Sequence, residues 1–200
     1  VDLGNLVQVG AGEAVDVEGN VHLSTDLPEG VYEVLISVMV NGTPIYELSL
    51  PVVLNRNILL NPSFESEGDW NIREGERVTD EAHTGQYSLT LHPDPENTWH
   101  VANNRARIPV TPGATYRLSL WSKNNSTTGG TAFGIREVND QNTTITYRWT
   151  PTDANSDWTR YEIEFVPGRN TAYMFVFLRS YEEANGQVWF DDIHLEELAE

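Results

Sequence analysis

Short β-prone runs broken by turn-forming residues constrain this chain more than any other feature. Val31 to Val40 (VYEVLISVMV) alternates and is rich in β-branched residues; Asn41-Gly42 follows, and a second run extends from Pro44 to Leu54. An Asn-Gly pair supplies the positive φ angles that a tight hairpin turn requires, so the two runs predict an antiparallel hairpin. Further runs at 115–123, 145–149, 160–166, 171–179 and 188–195 are separated by Thr111-Pro112-Gly113, by the polar stretch 124–130 and by Pro167-Gly168. No stretch holds a helical period. The predicted fold class is therefore all-β, an antiparallel β-sandwich. No apolar run approaches the roughly 18 residues that cross a bilayer, and no basic-then-apolar leader opens the sequence, so no membrane is expected as a partner.

Charge removes a second class of partner. With 30 Asp and Glu against 12 Lys and Arg, the formal net charge is −18, which repels nucleic acid instead of steering it in. The chain has no cysteine, so disulfides, zinc-thiolate sites and thiol nucleophiles are absent. The acidic surplus suits a secreted, extracellular bacterial protein and supplies carboxylates for a hard cation such as calcium. It equally suits a surface that is merely well solvated. Aromatic residues at 10% provide material for a packed core, and the expected state is a monomer.

The best boundary falls at Leu54-Asn55-Arg56-Asn57. Residues 1–56 form a short β-rich segment that resembles the tail of an immunoglobulin-like domain, with Leu27-Pro28-Glu29-Gly30-Val31-Tyr32 leading into its hairpin. It is too short for a comfortable sandwich alone, and is expected to pair with strands upstream in a longer parent chain. Residues 57–200 make up the main module. The sequence has no Gly-x-Ser-x-Gly elbow, no His-Glu-x-x-His and no phosphate-cradling glycine loop, and its five histidines lack metal-ligand spacing. Nothing in the motifs points to an enzyme.

An ordered set of motifs lies beyond the boundary. Ile58-Leu59-Leu60-Asn61-Pro62-Ser63-Phe64-Glu65 opens it, followed by Trp70 and by His83-Thr84-Gly85-Gln86-Tyr87-Ser88-Leu89. Trp99, Val110 to Trp121 (VTPGATYRLSLW), Trp158 and Val188-Trp189-Phe190-Asp191-Asp192-Ile193 complete it. Together these resemble the carbohydrate-binding modules of families 4, 9, 16 and 22, which are β-jelly rolls. The resemblance implies a non-catalytic module that binds a polysaccharide of xylan, β-glucan or mannan type in a concave groove. It also implies a covalently linked glycoside hydrolase that the module holds near its substrate. Two alternatives stand beside it: a structural spacer without sugar binding, and a small β-sandwich polysaccharide lyase.

The resemblance further implies a structural calcium held by Glu65 and Asp191, with Thr84, Tyr87 and Ser63 as further oxygen donors. Strand alternation puts Trp189, Asp191, Ile193 and Leu195 on one face, which would bury the Asp191 charge unless a cation pairs with it. In the alternative, a bulge turns Asp191 outward. For the sugar, the resemblance points to Trp99 for stacking and Arg73 for a polar contact. One face of 171–179 reads Tyr173, Phe175, Phe177 and Arg179 and the other is aliphatic, so the aromatic set is expected on the concave face. The opposite register would make those aromatics core. Tyr147 and Trp149 are further candidates to line the cleft. Trp70, Trp121, Trp158 and Trp189 read as packing residues. Ala102 stands where some sugar-binding relatives carry an acid.

Overall fold

The computed structural model describes residues 27, 30–40, 43–92, 100–128, 130–181 and 184–198. Two compact units divide the chain, residues 1–55 and 56–200. In the first, β1 (Gly30–Val40) pairs antiparallel with β2 (Thr43–Leu54), from Gly30 opposite Leu54 to Val40 opposite Thr43. The register slips once, between Val38 and Met39. The Asn41-Gly42 turn and the other strands expected of an immunoglobulin-like segment lie outside the described residues.

The second unit is an antiparallel β-sandwich, with no helix among the described residues. Its strands are β3 (Trp70–Arg73), β4 (Gly75–Val78), β5 (Ser88–Leu91), β6 (His100–Asn104), β7 (Ile108–Pro109) and β8 (Tyr116–Asn124). They continue with β9 (Thr131–Val138), β10 (Thr144–Pro151), β11 (Ser156–Phe165), β12 (Tyr173–Ser180) and β13 (Val188–Glu197). One sheet runs β10-β9-β12-β6-β3, with β7 also on β12; the other runs β11-β8-β13-β5-β4. Alternation fills the space between them. Phe133, Ile135, Met174, Val176 and Leu178 face inward from the first sheet; Leu89, Leu91, Leu118, Leu120 and Phe190 do so from the second.

The opening motif is stapled to the last strand. Asn57 donates from Nδ2 to the Ile193 carbonyl (2.8 Å), and its Oδ1 accepts from the amides of Leu59 and Leu195 (both 3.1 Å). Phe64 sits in the left-handed region (φ 58°) and is buried against Trp70, with ring centroids 5.2 Å apart.

In β13 the simple alternation fails. The register against β8 shifts between Asp191 and His194, and Asp192 takes a left-handed φ of 46°. The inward residues are therefore Val188 and Phe190 before the bulge and Ile193 and Leu195 after it. Trp189 and Asp191 consequently do not share a face with Ile193 and Leu195, a correction to the strand-period expectation. Asp191 turns away from the core and is nevertheless fully buried, because the loop before β5 closes over it.

Candidate functional site

The outer face of the six-stranded sheet carries a groove of about 380 Å³. Strand register arranges its side chains in rows. Across the sheet, Trp149, Gly134, Phe177, Asn103 and Asn71 stand opposite one another on β10, β9, β12, β6 and β3. The neighbouring row is Tyr147, Arg136 and Phe175. On the other side come Pro151, Ala132, Arg179, Val101 and Arg73. The groove wall includes Tyr147, Trp149, Phe175, Phe177, Arg136 and Arg179.

These aromatics differ in what they offer. Tyr147 and Trp149 on the edge strand are 56% and 55% exposed, whereas Phe177 is 8% and Tyr173 7%. The Arg136 guanidinium lies 4.7 Å from the centre of the Phe175 ring, and that of Arg107 lies 4.6 Å from that of Tyr173. Arg179 covers Tyr181 in the same way at 4.0 Å. The open ring faces are thus on β10, with Tyr147 edge-on to Phe177 at 5.8 Å.

Two features hold β10 in position. A Cβ at Gly134 would overlap the Arg148 carbonyl oxygen and stand 2.7 Å from the Trp149 Cα, so the missing side chain lets β10 pack close to β9. Glu137, fully buried on β9, accepts from Arg148 Nε (2.5 Å), the Gly168 amide (2.8 Å) and Thr171 Oγ1 (2.6 Å). Burial opposes its charge, but the Thr171, Arg148 and Gly168 donors outweigh it and hold its pKa below the usual carboxylate value. Because Arg148 alternates with Tyr147 and Trp149, anchoring it beneath the sheet sets the two aromatics on top.

The sequence candidates are distributed as follows. Tyr147, Phe175, Phe177 and Arg179 meet in the groove. Tyr173 shares their face of β12, but it is nearly buried beneath Arg107 and lies outside the wall, so it presents little surface to a ligand. Arg73 is exposed on the edge strand β3, in register with Val101 and at the far end of the Arg179 row. Trp99 lies outside the described residues. Sequence reasoning missed Asn103, Arg136 and Tyr181 in the wall. The alternation of Phe133 and Ile135 with Gly134 and Arg136 was the available signal for β9. A second, more open cleft of about 450 Å³ lies between turns 139–141 and 169–172 and has no aromatic in its lining.

On the other sheet, Glu65 and Asp191 converge on one loop. Glu65 Oε1 accepts from the amides of Gln86 and Tyr87, both at 3.0 Å. Asp191 Oδ2 accepts from those of His83 (2.8 Å) and Thr84 (3.1 Å), and Oδ1 from that of Asp192 (2.8 Å). Burial nonetheless pushes the Asp191 pKa to about 6, against the pull of these amides and with the Asp192 charge adding to the rise. Thr84 Oγ1 donates to Asp192 Oδ1 and His83 Nδ1 lies on Asp192 Oδ2, both at 2.7 Å, so the Thr84 hydroxyl is committed to Asp192. As carboxylates, Glu65 and Asp191 are of the ligand type a hard cation takes, and the Asp192 charge beside buried Asp191 is one that a cation would offset. Amide N–H groups, however, already occupy Asp191 Oδ1 and Oδ2 and Glu65 Oε1. Among the described residues no three His, Asp or Glu side chains group as metal ligands, so main-chain carbonyls such as those of Ser63 and Tyr87 would have to complete the shell.

Known proteins match this architecture. The fold is similar to the enzymatically active domain of tailspike protein 4 of bacteriophage CBA120 (TM-score 0.58, 16% identity), over 72% of this chain and 22% of that one. It is also similar to a family 61 carbohydrate-binding module solved with β-1,4-galactotriose (TM-score 0.53, 18% identity; 72% of this chain, 100% of that one). The C-terminal family 22 module of Clostridium thermocellum Xyn10B gives 0.53 and 17%, over 70% and 94% of the two chains. No curated protein sequence matches the chain. A family model described as a carbohydrate binding domain matches residues 56–183. With its sandwich, its aromatic groove and that match across most of its length, the chain belongs to this carbohydrate binding domain family.

Proposed function

We propose that the second unit is a non-catalytic module that binds a polysaccharide chain along the groove, with Tyr147 and Trp149 as its stacking platform. The carrying observation is the pair of half-exposed rings on one edge strand beside a groove with polar ends. An exposed aromatic pair on a sheet face is costly to leave uncovered, whereas a sugar's C–H surface covers it and its hydroxyls reach groups such as Asn103. The polymer is of xylan, β-glucan or mannan type, and the module works outside the cell as a monomer, holding a linked glycoside hydrolase near its substrate. Calcium belongs to the same reading. Glu65 and Asp191 would hold it, with main-chain carbonyls of Ser63 and Tyr87, and it would tie the opening segment to the last strand. The support is the buried, proton-attracting Asp191 carboxylate.

The test is a glycan screen on the parent and on Trp149→Ala. The variant is expected to keep its melting temperature, because truncating a half-exposed side chain typically costs within about 0.5 kcal/mol. It should lose binding, since an aromatic hot spot contributes about 2 kcal/mol or more. Unchanged binding in Trp149→Ala and in Tyr147→Ala would move the site elsewhere. No binding by the parent would favour the spacer reading.

A further inference from the structure

The groove differs in charge from the molecule that carries it. Carboxylates outnumber basic groups by 30 to 12 in the chain, yet the groove wall contains Arg136 and Arg179 and no carboxylate among its described residues. Arg107 stands on the same face, over Tyr173. Several cations elsewhere in the unit are paired with carboxylates: Arg117 with Glu164 and Glu196, Arg148 with Glu137, and Arg160 with Glu162. Among the described residues Arg136 forms no such pair; its contact is with the Phe175 ring.

That contact matters for recognition. A guanidinium lying over a ring is held through its face, while its N–H donors project in its own plane. Such a group is a pre-oriented fork for an anion that presents two oxygens side by side, at a lower ordering cost than a free arginine. Register sets Arg136 directly opposite the exposed Tyr147, and opposite neighbours on one sheet face lie about 5 Å apart. An anionic substituent on a sugar stacked against Tyr147 or Trp149 would lie beside this guanidinium.

We infer that the groove selects a polysaccharide bearing anionic groups, with Arg136 as the anion contact. This rests on the reading of the groove as the sugar site. The anion is a uronate carboxylate or a sulfate ester, which share the chemistry a guanidinium fork recognises. Long-range repulsion by the −18 chain is countered by screening, since the Debye length at physiological salt is about 8 Å.

The experiment measures affinity at about 0.15 M ionic strength for matched polymers. Glucuronoxylan and polygalacturonate are each compared with their carboxyl-reduced forms, and a sulfated galactan with its desulfated form; neutral β-glucan and mannan complete the set. The expected result is that an acidic polymer binds at least about tenfold more tightly than its neutral partner, the worth of one charged hydrogen bond. Arg136→Gln should lose that preference. Arg136→Lys, which keeps the charge, should retain part of it and guards against a folding defect, which melting curves would show. Which pair carries the preference tells uronate from sulfate. Equal binding of acidic and neutral forms would overturn the inference and leave the groove reading standing. No binding to any polymer would overturn both. An acid preference that survives Arg136→Gln in a folded variant would overturn the assignment of Arg136.

Discussion

Two buried carboxylates in the second unit titrate in opposite senses. Glu137 is held below its ordinary pKa, so its contribution to stability is present above the unfolded pKa and lost as acid protonates it. Asp191 is raised from 3.8 to about 6. The folded state then binds the proton more tightly than the unfolded one, and in metal-free protein this group's stability falls as pH climbs from about 4 to 6. The cost at neutral pH is on the order of 3 kcal/mol. In excess chelator, the parent should therefore gain stability relative to Asp191→Asn on going from pH 7 to pH 5. Paired thermal melts measure this, and a constant difference between the two proteins at both pH values would refute it. A cation bound at Asp191, as proposed, would offset the same cost at pH 7 and so link the acid and calcium dependences through one side chain.

At the scale of elements, β10 determines whether the groove exists. It is an edge strand whose sheet neighbour among the described strands is β9, and its approach depends on the missing side chain at Gly134 and on the Glu137–Arg148 pair. Gly134→Ala inserts a Cβ against backbone, which cannot rotate aside. An overpacking cost of about 1–3 kcal/mol is expected, with weaker glycan binding because Tyr147 and Trp149 move together. Removing Glu137 with Ala leaves Arg148, Thr171 and the Gly168 amide without their acceptor. Because the Arg148 side chain is 42% exposed and water can take up its charge, the loss is about 1.5–3 kcal/mol, that of hydrogen bonds to a charged group. Denaturant melts and a glycan titration on the two variants test both statements. Normal binding by a stable Gly134→Ala protein would show that the strand tolerates displacement.

For the whole molecule, the core cluster among the described residues draws its members from Leu59 to Leu195. Residues 56–200 expressed alone should therefore unfold cooperatively and bind the same glycan as the full chain. A non-cooperative melt would show that the first unit is needed. The proposed calcium would act at this scale too, since Glu65 and Asp191 stand near the two ends of the unit. At a metal concentration about 100 times the dissociation constant, binding adds roughly 2.7 kcal/mol, or a shift on the order of 5–10 °C for a unit of this size. Chelation should remove that shift in the parent and have no effect in Glu65→Ala. Melting curves identical with and without chelator, together with metal analysis finding no calcium, would end the calcium reading.

Local chemistry in the sequence determined the β-class of the chain, the β1–β2 pairing and the division of β12 into aromatic and aliphatic faces, because strand alternation and turn residues act over a few positions. The motif order carried the family, since those residues recur at fixed places in one fold. Tertiary structure alone decided the rest. The bulge at Asp191 and Asp192 turns the last strand over partway, and a period-two reading cannot see a residue that breaks the period. Whether Tyr173 or Tyr147 keeps an open ring depends on which guanidinium packs over it, and Arg107, Arg136 and β10 come together from separate stretches of chain. Arg136 itself stands in an ordinary alternating strand, where nothing local tells a groove-lining arginine from a solvated one. Only the neighbouring strands, brought into register by the sheet, make it part of a site.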